Sequence, residues 1–213
     1  MMPELRFDVL PAAQRTVWEI LSKCADQLHA DNYYLAGGTA LALQLGHRQS
    51  VDFDFFSQKT GLADSTLAWL EKMPDFVIRS IDPETIHGNC RQVKLSFIGE
   101  YKYPLLDSPL TADRMSVASL LDIGLMKFLS ITHRATVRDY IDLAALFKHG
   151  CALSTLLEAS KRKYGTNFNP MVPLRALTAF DDVRGDMPIM LDTSLSSAWQ
   201  DIIRKEVCGT TIA

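Results

Sequence analysis

Apolar residues recur along this chain at two periods, mixed over the first hundred residues and almost purely helical after that. In "AAQRTVWEILSKCADQLHA", Val17, Ile20, Leu21, Cys24 and Leu28 share one face, which predicts a helix from about Ala12 to Ala30. "NYYLAGG" reads as a short strand ended by glycines, and "TALALQLG" as a helix stopped by Gly46. In "SVDFDFFS" acids and aromatics alternate at strand period, so Asp52 and Asp54 project from one side and Phe53 and Phe55 are expected to be buried on the other. "ADSTLAWLEKM" predicts a further helix. "FVIRSI", "TIHGNC" and "RQVKLSFIG" predict three short strands in a meander. Past "YPLLDSPLTADRMSV" the texture changes, and four helical patterns follow: "ASLLDIGLMKFLSITHR", "TVRDYIDLAALFKHG", "LSTLLEASKRKYG" and "SSAWQDIIRKEV".

Strands first and helices afterwards predict an α+β protein. A mixed sheet flanked by helices is expected over residues 1–110, and a C-terminal helical bundle over residues 111–213, packed over the cleft of the first part. A chain of 213 residues, 47% hydrophobic and 22% charged, has enough apolar material for a core. The net charge of −3 excludes a globally basic nucleic-acid binder but leaves room for a local basic face. One candidate stretch is Lys127 to Lys163, with seven Lys/Arg against three Asp/Glu. Cys24, Cys90, Cys151 and Cys208 lie far apart without metal-site spacing, as expected of reduced thiols. With no apolar run of about 20 residues and no signal-peptide pattern in "MMPELRFDVLP", a cytoplasmic protein off the membrane is expected.

The stretch "GGTALALQLGHRQSVDFDFF" carries the candidate chemistry. Two carboxylates on one strand face repel each other unless a cation lies between them, and hard oxygen ligands suit Mg²⁺. Gly37 and Gly38 stand between a strand and a helix start, where backbone N–H groups and the helix dipole form an anion site. A phosphate cradle facing an acidic metal pair is the equipment of phosphoryl or nucleotidyl transfer. Each motif alone has a plainer reading, a tight turn or a solvated strand face. Their combination, with aromatics interleaved among the acids, favours chemistry.

A hydrophobic residue, Gly-Gly, thirteen residues and then Asp-Phe-Asp-Phe resembles the signature of the DNA polymerase β-like nucleotidyltransferase superfamily. More narrowly, "LAGGTALALQLGHRQSVDFDFF" is similar to the AbiEii/AbiGii toxin family, in which Gly-Gly-Thr-Ala-Leu precedes Arg-x-Ser-x-Asp-x-Asp. "LMKFLSITHRATVRDYIDL" resembles the family's second block, and "ALTAFDDVRGDMPIML" its C-terminal segment. The resemblance implies a nucleotidyltransferase-type fold and a Mg²⁺-dependent transfer of a nucleotide from an NTP to RNA, with tRNA as the model acceptor. It also implies a cognate antitoxin as partner. By the family's motif, Asp52 and Asp54 hold Mg²⁺ while Gly37, Gly38, Thr39, Arg48 and Ser50 form the nucleotide and phosphate site. Lys127 neutralises phosphate charge and Asp139 is the distal catalytic acid.

Beside the resemblance, the residues themselves suggest that Arg138 and Asp142, four apart on a helix, pair with each other and leave Asp139 free to face the cleft. Lys127 lies among apolar neighbours and is expected to snorkel to solvent. His47 is expected at a surface turn. The departure is in "RQVKLSFIG", where many relatives have Lys-x-Glu or Lys-x-Asp and this chain has Lys94-Leu95-Ser96, with Ser96 in the place of the third acid. Glu100 and Asp107 are the nearest later acids, and Asp139 is a candidate to compensate. Two rivals follow: a silent nucleotide- or RNA-binding module, which Ser96 favours, and an aminoglycoside-type nucleotidyltransferase, which the basic helical half disfavours.

Overall fold

The computed structural model describes residues 5–61, 63–166 and 168–210. The predicted first helix is two, α1 (Ala12–Lys23) and α2 (Ala25–Ala30), broken where Cys24 leaves helical geometry. Val17, Leu21 and Leu28 are buried as the periodicity requires. Strand β1 (Tyr34–Ala36) runs directly into α3 (Gly37–Leu45), which Gly46 ends in the left-handed conformation that terminates helices without a Cβ clash. After β2 (Asp52–Phe56) and α4 (Ala63–Leu70) come β3 (Phe76–Asp82), β4 (Thr85–Cys90) and β5 (Val93–Ile98), the expected meander.

A hairpin then follows that the sequence pattern did not announce: β6 (Leu110–Ala112) and β7 (Met115–Val117). Its two-residue turn puts Asp113 and Arg114 at positive φ, the backbone of a tight hairpin turn, without the usual Asn-Gly. β7 pairs parallel with β1, so the sheet continues beyond residue 110, where the helical half was expected to begin. The seven strands lie in the order β3-β4-β5-β2-β1-β7-β6, with parallel pairs only at β2–β5 and β1–β7. The helical remainder is α5 (Leu120–His133), α6 (Val137–Lys148), α7 (Leu153–Tyr164), α8 (Met171–Ala176) and α9 (Leu195–Gly209). α6 is wrapped by α3, α5 and α9, and this explains why ten of its twelve residues are buried.

The aromatics of β2 fix which way its acids point. Phe53 and Phe55 are 0% and 1% exposed. Phe55 stacks on Phe97 of β5 at 5.3 Å, and Phe97 also meets Tyr33, Trp69 and Phe76 edge-on. With this side of β2 in the core, period-two alternation turns Asp52 and Asp54 to the other. The four cysteines are unpaired. Among the described residues no helix is long and apolar enough to cross a membrane.

Because Phe97 joins four aromatic contacts in one buried cluster, Phe97→Ala should cost about 3–5 kcal/mol, through lost transfer energy and the cavity left behind. Urea unfolding followed by fluorescence checks this; a loss below about 1 kcal/mol would mean that the cluster does not anchor β2.

Candidate active site

A cleft of about 680 Å³ opens on the acid side of β2. At its edge β1 turns into α3 through Gly37, whose φ of +70° disfavours any other residue. A Cβ there would stand 3.2 Å from Asp54 Oδ2, and one on Gly38 would collide with the Arg48 guanidinium. Both glycines are therefore set by what faces them. The first N–H groups of α3 have no partner within the helix and lie at the cleft. Thr39 turns its hydroxyl inward, donating to the Asp52 carbonyl and sharing a 2.7 Å hydrogen bond with Ser50 Oγ. This fastens α3 to the entry of β2.

Asp52 and Asp54 are half-buried and border the cleft. Burial raises the Asp54 carboxyl above its ordinary value and the neighbouring Asp52 adds to this, while Ser96, Lys94 and Lys127 pull the other way. The parallel register of β2 with β5 sets Lys94 beside Asp52 and Ser96 beside Asp54. Glu100 and Asp107 do not border the cleft.

Behind this surface lies a buried ion cluster. Asp142 accepts from Arg48 Nε (2.7 Å) and Nη2 (2.9 Å), from His47 Nε2 (2.8 Å) and from Lys127 Nζ (2.6 Å). Lys127 Nζ also donates to Asp139 Oδ1 (2.7 Å), whose other oxygen accepts from Arg134 Nε (3.0 Å) and Thr136 Oγ1 (2.7 Å). Burial alone would raise Asp142, but Arg48 and Lys127 override it and hold the carboxyl well below the usual range. Burial likewise would lower Lys127, yet its two aspartates keep it raised and charged. His47 is pushed down, chiefly by burial, so the ring is neutral near pH 7.

Several expectations are corrected here. Arg138 does not pair with Asp142: it is exposed at the cleft, and Asp142 is enclosed by His47, Arg48 and Lys127. Lys127 does not snorkel, because the carboxylates that satisfy it are inside. His47 is fully buried and no surface turn residue. Asp139 is not a free acid, and among the described residues no three His, Cys, Asp or Glu side chains gather around a possible metal position. The two Asp139 oxygens are engaged by Lys127, Arg134 and Thr136. Lys163 leaves the proposed basic face as well, buried against Asp122 at 2.7 Å.

The cleft gathers Gly37, Gly38, Arg48, Ser50, Asp52, Asp54, Lys94, Lys127, Arg138 and Asp139 from the expected set, whereas Thr39 and Asp142 lie beneath it. Unforeseen is a strap of residues 184–192 that forms one wall. Its start is tied to α6, with Arg184 N donating to Ala135 O (2.8 Å) and Val137 N to Arg184 O (2.9 Å). Its end is tied to the turn after α3, with Gln49 N donating to Ile189 O (2.8 Å) and Leu191 N to His47 O (3.0 Å). Arg184 and Asp186 come to the cleft this way, and Arg134 comes from the end of α5. The signals in the sequence were the basic run around Arg134 and the likeness of "ALTAFDDVRGDMPIML" to the family's C-terminal segment, neither of which placed these residues at the cleft.

The family described as "Nucleotidyl transferase AbiEii toxin, Type IV TA system" matches residues 19–207. An uncharacterized protein of Aquifex aeolicus (strain VF5) is 33% identical over 183 residues, covering 79% of this chain and 84% of its own. Among solved structures, the nucleotidyltransferase toxin MenT4 of Mycobacterium tuberculosis H37Rv superposes with a TM-score of 0.56 at 16% identity, covering 90% of this chain and 84% of that one. A putative nucleotidyltransferase from H. pylori gives 0.53 at 19%, covering 92% and 93%. The antibiotic-resistance factor ANT(2'')-Ia gives 0.54 at 13%, covering 70% and 91%. The chain belongs to the AbiEii nucleotidyltransferase toxin family. Its seven-strand sheet with flanking helices is the nucleotidyltransferase fold, and the family is one of enzymes.

Removing the anion at the centre of the cluster strands the buried Arg48 and leaves Lys127 with Asp139 alone. Asp142→Ala should therefore cost about 3–5 kcal/mol in urea unfolding. His47 supplies a pH test. Its folded value lies below the ordinary 6.5, so the unfolded chain takes up a proton that the folded one refuses. The stability it contributes is complete above about pH 6.5 and is lost as pH falls below that value. The melting temperature should decline below about pH 6.5, and His47→Gln should flatten that decline. Asp54, which is raised, contributes with the opposite sign, so the difference between parent and His47→Gln isolates the imidazole. Parallel curves would mean that folding leaves the ring's pKa unshifted, and a parent that gained stability relative to His47→Gln as pH falls would mean that the ring is protonated in the fold.

Proposed function

We propose that this nucleotidyltransferase moves a nucleotide from a nucleoside triphosphate to an RNA acceptor, tRNA in the first instance, with Mg²⁺ held by Asp52 and Asp54. The observation that carries the reading is the meeting, in one cleft, of that acidic pair, the Gly37–Gly38 start of α3 and the buried ammonium of Lys127. Two half-buried carboxylates, one of them raised by burial and then by the other's charge, form a site that a divalent cation relieves. Lys127 donates to Asp139 and pairs with Asp142, and its ammonium, which has three donors and borders the cleft, can also meet a phosphate oxygen.

The triphosphate lies against the N–H groups of Gly38 and Thr39, where the helix start favours negative charge. Asp139 and Asp142 keep Lys127 charged and aimed, so Asp139 acts by positioning Lys127. The acceptor hydroxyl oxygen bonds to the α-phosphorus as the bond to the bridging oxygen breaks, pyrophosphate leaves, and the hydroxyl proton passes to water in the open cleft. Mg²⁺, when bound, neutralises phosphate charge and acidifies the acceptor hydroxyl. Arg134, Arg138 and Arg184 are exposed and border the cleft, giving the RNA backbone cations to follow. A cognate antitoxin is the further partner that membership of a toxin family implies.

Incubation with each labelled triphosphate, Mg²⁺ and total RNA should label a discrete RNA species, and Asp54→Asn should lower the rate by about 10²-fold or more. Reversing Arg138 and Arg184 to Glu should weaken RNA affinity and flatten its salt dependence by about one unit of slope per lost contact. Label on an aminoglycoside instead of RNA would support the small-molecule reading. Triphosphate binding with no transfer to either would support a silent binding module.

A further inference from the structure

Two-metal phosphoryl chemistry needs carboxylates that bridge two ions about 3.5–4 Å apart. Here the strand beside the acidic pair offers none. The β2–β5 register places Lys94 next to Asp52 and Ser96 next to Asp54, and paired residues of neighbouring strands project to the same side. Lys94 borders the cleft and is exposed, so its ammonium has room to move toward a bound anion. The remaining cleft acids do not make up the deficit. Asp139 is enclosed by Lys127, Arg134 and Thr136, and Asp186 on the strap forms no cluster of three with the pair among the described residues.

Charge leads to the same conclusion. Asp52 and Asp54 together carry −2 and Lys94 returns +1. Two divalent ions in the free cleft would leave a local excess of +3 beside the further cations Lys127, Arg138 and Arg184. One ion leaves an excess of only +1, so the protein's own charges favour a single ion in the free cleft. Building on the function proposed above, we infer that this cleft binds a single divalent cation at Asp52–Asp54, with the Lys94 ammonium contacting the triphosphate where a second ion would otherwise stand. Lys94 is then a substrate-contacting residue, and Ser96 stands beside Asp54 in the register without adding a carboxylate.

Counting Mn²⁺ by electron paramagnetic resonance, with one equivalent of a non-hydrolysable triphosphate per chain, tests this without turnover. The parent protein should take up one Mn²⁺ per chain–nucleotide complex, with no spin coupling between neighbouring ions. Lys94→Met keeps the stem and removes the charge; it should leave the count at one and weaken triphosphate binding about tenfold, the scale of one charge-assisted hydrogen bond. Lys94→Glu should raise the count toward two. Circular dichroism of both variants confirms folding, which an exposed side chain should not disturb. Two coupled ions in the parent protein would overturn the inference and leave the proposed function standing, as would a Lys94→Met variant with parental triphosphate affinity. A parent protein that binds no triphosphate would overturn both.

Discussion

The site depends on a buried set of charges that cancel one another. Arg48 and Lys127 face Asp142 and Asp139 in the interior, joining the turn after α3, helix α5 and helix α6. Removing four charges from water is costly, and apolar substitutes of similar size often stabilise a fold at least as well. What this cluster provides is geometry. With Nε and Nη2 of Arg48 bound by Asp142, the guanidinium stands where any Cβ on Gly38 would go. The start of α3 is thus held open against the cleft by a contact that begins on α6. The same aspartate keeps Lys127 charged among apolar neighbours. One anion therefore sets both the shape of the cleft edge and the charge of its floor.

Local periodicity made most of the sheet legible. Alternation of acid and phenylalanine in "DFDFF" predicts the outward face of β2 because a strand has only two sides, and Phe53 and Phe55 belong inside. Gly46 marks the end of α3 for an equally local reason. The hairpin β6–β7 was not legible. Its strands are three residues each, too short for alternation to register, and its Asp113-Arg114 turn lacks the glycine that marks such turns in sequence. The strap of residues 184–192 has no period at all. It is held by backbone hydrogen bonds to residues as distant as His47, which no local pattern encodes.

Among the charged residues, burial separated correct expectations from mistaken ones. Arg138 and Asp142 have helix-pair spacing, yet α6 is enclosed by three other helices, so Asp142 finds its cations across the interior. Spacing rules hold for a helix with a solvent face, and the Asp142 side of α6 has none. The same error underlies His47 and Lys163, two groups that sequence habit assigns to water and that buried carboxylates bring inside. Of the motif residues in the cleft, Gly37, Gly38, Asp52 and Asp54 were the legible ones, because a strand or a helix start fixes them by local geometry.

Burial also divides the cations into two groups with different capacities. Arg48 and Lys163 are bound to internal carboxylates, and what they contribute is position. Lys94, Arg138 and Arg184 are exposed at the cleft and able to follow a ligand. Lys127 stands between the groups, anchored by two aspartates while still bordering the cavity. An acidic protein thereby presents a cationic rim, since its net charge of −3 says nothing about which charges remain free to act. On the reading proposed here, fixed cations meet the phosphates that must be aligned for reaction, and mobile ones meet a backbone that must slide into place and leave again. Lys94 crosses this division: mobile on its stem, it is set by the β5 register beside the acidic pair, where an ammonium can meet a triphosphate without a metal ion between them.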